Sequence, residues 1–158
     1  MVILFRSFRE QRHINQRRIS MQDCIFCKIV TGDIPSIKIY EDDRVFAFMD
    51  INPIAAGHCL VIPKKHAENL WEIPESDLHA IHTVSQKIVQ AMTRALGPVS
   101  VAVLQLNGRA VNQVVMHYHV HLIPRTSDET PLKLTAWEII PGDMEAIQRT
   151  GTAIAAEI

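Results

Sequence analysis

The sequence lacks the features that would place it in several common classes of protein. Its 158 residues include only three cysteines, an odd number that excludes a framework built entirely of disulfides. No apolar run approaches the roughly 20 residues needed to cross a bilayer, so we expect no membrane-spanning segment. The formal net charge is −1, so overall electrostatics favour neither nucleic acid nor an anionic membrane as a partner. Internal repeats and low-complexity tracts are also absent.

The composition that is present is typical of one globular domain. Hydrophobic residues make up 47% of the chain and charged residues 21%, and this length can bury a sizeable core. The first 20 residues differ, since they hold five arginines against the single acid Glu10. The opening apolar stretch is too short for a signal-peptide core, although an Arg-rich, acid-poor start also fits a transit peptide. We expect residues 1–20 to be an extension outside the fold, with Met21 as the natural start, and residues 21–158 to form one domain.

Periodicity and turn residues predict the secondary structure. Apolar residues at helical spacing from Leu78 to Ala95 predict a long central helix that starts after Pro74 and ends at Gly97. His79 and His82 fall outside this apolar stripe, so we expect them to be solvated. A second helix is predicted from about residue 144 to 158. Strands are predicted at 37–40, 45–49, 58–63, 99–106 and through the histidine-rich stretch from 117, which indicates an α+β fold with a mainly antiparallel sheet.

Three histidines alternate with apolar or aromatic residues at His117, His119 and His121. In a strand, alternate side chains point to opposite faces, so the three imidazoles would share one face and Tyr118 and Val120 the other. Neutral imidazoles bind metals, carry protons or attack electrophiles near neutral pH. The row therefore predicts either a metal centre or nucleophilic catalysis, in which the neighbours donate hydrogen bonds to an anionic transition state.

The cysteines form a second candidate site, Cys24-x-x-Cys27. Structural zinc requires four Cys or His ligands, and His66 and His117 are plausible completions. A redox dithiol is the alternative, but no thioredoxin-like βαβ context surrounds this motif, so we favour zinc. Either use requires reduced thiols and indicates a cytoplasmic protein. Cys59 lies in an apolar run and is expected to be a small core residue.

These motifs occur together in one known family. The stretch from His117 to Arg125 resembles the His-φ-His-φ-His-φ-φ signature, where φ is apolar, of the histidine triad (HIT) nucleotide-binding proteins. The resemblance extends over roughly residues 23–126 and is greatest to the bacterial, Hint-like branch that keeps the Cys-x-x-Cys. Further matching motifs, in family order, are Cys24-Ile-Phe-Cys-Lys-Ile29, Ile34-Pro-Ser36, Tyr40-Glu-Asp-Asp43, Ala47-Phe-Met-Asp-Ile51, Gly57-His58, Leu60-Val-Ile-Pro-Lys64, His66, Asn107-Gly108 and Gln113.

The resemblance implies a HIT-like fold and a hydrolase or transferase acting on the α-phosphorus of nucleotide conjugates. His119 would attack phosphorus and form a nucleotidyl-histidine, which water would resolve to a nucleoside monophosphate, AMP or GMP. It assigns the phosphate contacts to His121, His58 and Gln113. It assigns the nucleoside contacts to Asp50 for the ribose, Asn107 for the ribose-phosphate, and Ile25, Phe26 and Ile51 for the base. It also implies a homodimer and a structural zinc held by Cys24, Cys27, His66 and His117, with metal-free chemistry.

The chain departs from the family pattern in the loop before the triad. Val111-Asn112-Gln113 stands where the family usually has Ala-Gly-Gln, and we expect Asn to accept the backbone conformation that Gly allows. Val114 stands where Hint enzymes often carry a hydroxyl residue, so slower protonation of the leaving group is expected. Arg109 in the same loop is expected to be solvated.

The leading hypothesis is a nucleoside phosphoramidase. The alternatives are a dinucleoside polyphosphate hydrolase, a nucleotide-binding module with weak catalysis, and a zinc hydrolase that uses the triad as ligands.

Overall fold

The computed structural model describes residues 23–97, 99–126 and 141–158. The predicted N-terminal extension and the segment from Leu132 to Trp137 lie outside the described residues. None of the described helices combines the length and apolarity that crossing a bilayer requires. The helices are α1 Ile25–Thr31, α2 Glu75–Leu96 and α3 Met144–Ala155, and the strands are β1 Lys38–Glu41, β2 Val45–Met49, β3 Cys59–Pro63, β4 Ser100–Leu104 and β5 Val120–Arg125.

The five described strands form one sheet in the order β1-β2-β3-β5-β4, and every neighbouring pair is antiparallel. This confirms the predicted α+β fold with a mainly antiparallel sheet. The turn of the β1–β2 hairpin is closed by Asp42, whose Oδ1 accepts hydrogen bonds from the N–H groups of Arg44 and Val45 at 2.8 and 2.7 Å. The last of the described strands in sequence, β5, inserts between β3 and β4, so residues far apart in the chain become neighbours in the sheet.

Alternation along the strands divides the core between the two faces of the sheet. Val45, Ala47 and Met49 belong to a large buried cluster with α2 and α3, whereas Phe46 and Phe48 belong to a second cluster with α1. Both faces are therefore covered, and this explains why every residue of β2 and β3 is buried.

The long helix α2 follows its sequence signals closely. Glu75 and Asp77 lie in its first turn, where the helix dipole favours acids, and Gly97 follows its last residue with a φ of 85°. His79 and His82 are exposed, as predicted. The buried stripe of α2 packs on the same side of the sheet as Cys59, which is fully buried and is confirmed as a core residue.

The observed elements differ from the prediction by one residue at β1 and β3 and by more elsewhere. The predicted strand at the histidines begins only at Val120, β4 is shorter than 99–106, and α3 ends at Ala155. The helix α1 was not predicted, because its seven residues carry too little periodicity and their N-cap, Cys24, makes no side-chain capping bond. It is held by packing of Phe26 and Cys27 on the sheet. Its position brings both cysteines to the face of the sheet that bears the histidines.

Candidate functional site

The first cluster consists of four side chains that offer sulfur and imidazole nitrogen atoms. The ligand atoms of Cys24, Cys27, His66 and His117 all lie within 4.8 Å of one another. Nδ1 of His117 is 3.4 Å from Sγ of Cys24 and 3.6 Å from Sγ of Cys27, and Nδ1 of His66 is 3.4 Å from Sγ of Cys27. Zn–S bonds of about 2.3 Å and Zn–N bonds of about 2.0–2.1 Å place S and N about 3.6 Å apart in a tetrahedron. The residues fit a zinc ion.

The hydrogen bonds and protonation states of this cluster also suit a zinc ion. Nε2 of His117 lies 2.9 Å from the carbonyl oxygen of Pro63, to which it donates, so the lone pair of Nδ1 faces the sulfurs. Burial lowers the pKa of His117 to about 4, although the hydrogen bond to the Pro63 carbonyl raises it. The lowered pKa keeps the ring neutral. Burial and the adjacent Cys24 thiol raise the pKa of Cys27 to about 12, so its thiolate requires a cation beside it.

The second histidine of the row is separated from this cluster by its orientation. Nδ1 of His119 lies 2.6 Å from the carbonyl oxygen of His117. A carbonyl can only accept, so Nδ1 carries the proton and Nε2 carries the lone pair. Burial lowers the pKa of His119 below its usual value. The ring is therefore a neutral imidazole with its Nε2 available as a nucleophile or base.

The third histidine forms a pair with His58. Nε2 of His58 is 3.0 Å from Nδ1 of His121, and the rings of His121 and His119 lie 4.8 Å apart between centroids. The N–H of Ile54 donates to Nδ1 of His58 at 3.3 Å, so Nε2 of His58 carries a proton and donates to His121. The N–H of His121 is therefore at Nε2. Burial and the neighbouring imidazoles His119 and His58 lower the pKa of His121 to about 2.

The predicted alternation of side chains along the histidine row is present, although residues 117–119 precede the first residue of β5. Tyr118, Val120 and Leu122 belong to the α2 side of the core, and the three histidines point to the other side. The histidines do not form a single group, because His117 faces the cysteines whereas His121 faces His58 and Asp50. This arrangement argues against one metal ion bound by all three.

The residues predicted to contact the nucleoside occupy different environments. Oδ2 of Asp50 is 3.6 Å from Nδ1 of His58, and its Oδ1 accepts from the N–H of Asn52 at 2.8 Å. Ile25 and Ile51 are about half exposed, at 47% and 55%. Phe26 is buried, and its ring centroid lies 5.3 Å from that of His119. The structure therefore places Asp50 beside His58 and Phe26 beside His119. Phe26 lies inside the core.

Gln113 and Asn107 organise the loop before the triad. Oε1 of Gln113 accepts from the N–H of Gly108 at 2.6 Å, and its Nε2 donates to the carbonyl oxygens of Glu68 and Val115 at 2.6 and 3.3 Å. Oδ1 of Asn107 accepts from the N–H of Leu70 at 2.7 Å. Both amides thus connect the loop to the segment after His66. These backbone acceptors and donors carry no sequence signal, so the sequence could not predict the contacts.

The departures from the family pattern have clear structural settings. Asn112 has a φ of 67° and a ψ of 28°, and it is the one non-glycine residue with positive φ among the described residues. This confirms that the position takes the left-handed conformation that Asn accepts. Val114 is 66% exposed and Arg109 is exposed.

An antiparallel sheet that presents a buried row of histidines beside a Cys-His cluster defines the class of protein. The sequence model of the HIT domain matches residues 31–128, more than half of the chain. The chain belongs to the HIT family.

Individual relatives and solved structures agree with this assignment. The chain is 42% identical over 135 residues to adenosine 5'-monophosphoramidase hnt1 of Schizosaccharomyces pombe, covering 85% of this chain and 98% of that protein. A Hit-like protein of Bartonella henselae, described as involved in cell-cycle regulation, is 38% identical, with a TM-score of 0.78 over 87% of this chain and 97% of that chain. A Zn-bound histidine triad family protein of Mycobacterium smegmatis is 33% identical, with a TM-score of 0.75 over 86% of this chain and 93% of that chain.

Proposed function

We propose that this protein is a nucleotide hydrolase that cleaves nucleoside phosphoramidates, and related nucleotide conjugates, at the α-phosphorus. The single observation that carries the proposal is the 2.6 Å contact of Nδ1 of His119 with the carbonyl oxygen of His117, because it leaves Nε2 unprotonated. The name of the 42% identical relative, an adenosine 5'-monophosphoramidase, supports the choice of substrate class.

The proposed reaction has two displacement steps at phosphorus. In the first, the lone pair of His119 Nε2 forms a bond to the α-phosphorus while the phosphorus–nitrogen bond to the leaving amine breaks. The amine leaves with its electron pair and takes a proton from solvent. In the second, a water oxygen attacks the phosphorus, the bond to Nε2 breaks, and the water proton passes to solvent. The products are a free amine and a nucleoside monophosphate, and the imidazole is restored.

Charge develops on the phosphate oxygens in both steps, and hydrogen-bond donors fixed nearby lower that barrier. His121 is proposed to donate from Nε2 to these oxygens. His58 supports it, since its Nε2–H donates to Nδ1 of His121 and so sets the tautomer. Gln113 was predicted to contact the phosphate, and we propose that it acts by holding the backbone of the loop against Glu68.

The nucleoside is proposed to lie beside the same histidines. Asp50 is proposed to bind the ribose hydroxyls through Oδ2, since its Oδ1 is already bonded to the backbone of Asn52. The exposed Ile25 and Ile51 are proposed to enclose a purine base, with Asn107 supporting the ribose-phosphate side. Phe26, predicted to contact the base, is only 6% exposed, and we propose that it acts from within the core instead. This arrangement would serve AMP and GMP conjugates alike.

The Cys24, Cys27, His66 and His117 cluster is proposed to hold a structural zinc ion. Zinc bound there would link the helix α1 to the start of the triad, and its ligands would not include His119 or His121. A Zn-bound relative of known structure supports this assignment. Reduced thiols are needed for such a site, so we propose a cytoplasmic protein.

We also propose that the protein is a homodimer joined at β4. Among the described residues β4 pairs only with β5, and its Val103 is 56% exposed. An apolar edge strand with unpaired backbone groups is suited to pairing with a second copy.

The test of the proposed function is turnover of adenosine 5'-phosphoramidate. The wild-type protein should release AMP, whereas His119→Asn should lose at least a thousandfold in rate and still bind AMP. The matched control is His79→Asn, which removes an exposed histidine and should leave the rate unchanged. AMP binding with negligible wild-type turnover would instead identify a binding module, and faster cleavage of a dinucleoside polyphosphate would identify the alternative hydrolase.

A further inference from the structure

Phe26 lies between the two cysteines of α1 and contacts two of the triad histidines. Its ring centroid is 5.3 Å from that of His119 with an interplanar angle of 87°, and 5.9 Å from that of His117 with an angle of 68°. Its exposed fraction is only 6%. The Phe26 side chain therefore packs inside the protein against the histidine row and does not form an exposed wall of a base pocket.

The orientation of α1 depends on its cysteines. A helix of seven residues is not stable by itself, and Cys24 provides no side-chain capping bond. The two thiols at its first turn face the imidazoles of His66 and His117 at 3.4–3.6 Å. Holding these two thiols restrains the backbone on both sides of Phe26, because Phe26 lies one residue before Cys27 and two after Cys24. The ring itself also packs against Phe48, at 5.5 Å between centroids.

Three contacts restrain the ring of His119. The bond from Nδ1 to the carbonyl of His117 fixes one nitrogen, but rotation about χ2 of a histidine is broad and one bond does not define it. The perpendicular Phe26 ring lies on one side, and the His121 ring lies 4.8 Å away at an angle of 73°. The bonded carbonyl belongs to a member of the cysteine-histidine cluster and Phe26 lies between the two cysteines, so two of the three contacts originate at that cluster.

We propose that Phe26 is a positioning residue for His119 and couples occupancy of the Cys24-Cys27-His66-His117 metal site to the direction in which Nε2 points. The proposal rests on the proposed function only in that Nε2 of His119 is the attacking atom. Loss of the metal or of the Phe26 ring should let the imidazole rotate, and a displacement of about 1 Å in a reacting group can cost roughly a hundredfold in rate.

The first test compares Phe26→Leu with Phe46→Leu in the zinc-loaded protein. Phe46 is equally buried in the same cluster and contacts Phe48, but no histidine contact is found for it among the described residues. Phe26→Leu should lower kcat for adenosine 5'-phosphoramidate by about tenfold to a hundredfold with KM within twofold. Phe46→Leu should leave both within twofold. Equal losses of kcat in the two variants, or no loss in Phe26→Leu, would overturn the proposal.

The second test needs no turnover and no variant. The ¹⁵N NMR signals of the His119 ring are recorded at pH 8 without nucleotide, in zinc-loaded protein and in protein stripped by a chelator under reducing conditions. The zinc-loaded protein should show one sharp tautomer with the proton on Nδ1, and the stripped protein should show broadened or averaged signals. Unchanged signals after stripping would refute the coupling. Because this readout is independent of rate, it remains decisive even if His119→Asn retains activity and the proposed function fails.

Discussion

Nε2 of His58 and Nδ1 of His121 lie 3.0 Å apart in the interior, and one proton lies between the two rings. The direction of this bond follows from the N–H of Ile54, which occupies the other nitrogen of His58. Asp50 and His119 also act electrostatically on this pair. A proton added to Nδ1 of His121 would face the N–H of His58, and a proton added to Nδ1 of His58 would face the N–H of Ile54, so the folded state disfavours uptake of a proton.

This pair predicts acid-sensitive stability. Burial lowers the pKa of His58, against the raising effect of Asp50, and lowers that of His121 to about 2. An unfolded histidine titrates near 6.5, so below this pH the unfolded chain takes up protons that the folded chain refuses. The free energy of unfolding should therefore fall as the pH drops below about 6.5, by up to about 1.4 kcal/mol per pH unit for each histidine. Urea unfolding between pH 8 and pH 5 measures this slope.

The control for the pH effect is His79→Asn, which removes an exposed histidine and should keep the slope. His121→Asn should make the slope shallower. A free energy of unfolding that stays constant from pH 7 to pH 5 would contradict the prediction.

Removal of the metal should destabilise the protein. A ligand at a thousand times its dissociation constant stabilises the folded state by about 4 kcal/mol, so a strong chelator should lower the thermal midpoint by several degrees. Cys27→Ala should abolish binding of one zinc ion per chain, measured by atomic emission after dialysis. Cys59→Ala is the matched control, because Cys59 is buried on the other face of the sheet and should leave the zinc content at one per chain.

The left-handed residue of the triad loop gives a prediction about backbone conformation. Asn112→Gly should leave stability and turnover close to the wild type, since glycine accepts a φ of 67° without cost. Asn112→Val should lose roughly 1–2 kcal/mol, because a β-branched residue is strongly disfavoured in the left-handed region that Asn accepts. Urea unfolding of both variants tests the difference. Equal stabilities would show that the conformation is not maintained in solution.

The edge strand β4 leads to a prediction about assembly. A charge on an exposed edge strand opposes pairing with another strand, so Val103→Lys should raise the dissociation constant of the proposed dimer at least tenfold. Thr152→Lys places the same charge on the exposed side of α3 and should leave the dimer intact. Sedimentation equilibrium of the wild type and both variants measures these dissociation constants. A wild-type protein that sediments as a monomer would contradict the proposed dimer directly.

Much of the fold was predictable because its signals are local. The continuous apolar run of β2 reflects burial on both faces, the helical spacing in α2 reflects burial of one face, and both elements were predicted to within a residue or two. The resemblance to the HIT family identified Cys24, Cys27, His66 and His117 as one group, and the structure brings their ligand atoms within 4.8 Å.

The features that the sequence did not reveal are set by tertiary contacts. The helix α1 forms because Phe26 and Cys27 pack on the sheet, and no propensity in its seven residues indicates this. The amide of Gln113 is bonded entirely to backbone groups, whose positions depend on the folded loop. Backbone partners such as the carbonyls of Pro63 and His117 fix the tautomers of two histidines, and any residue type could supply them.

The insertion of β5 between β3 and β4 has a consequence for the order of events during synthesis. His58, Cys24, Cys27 and His66 leave the ribosome early, but each depends on a partner in residues 117–121. The strand that carries His121 ends at Arg125 and is also needed to hold β4 in the sheet. A nascent chain that stops short of this strand therefore has neither a complete set of four metal ligands nor a histidine pair. Neither site can therefore be completed before residues 117–121 have been synthesised.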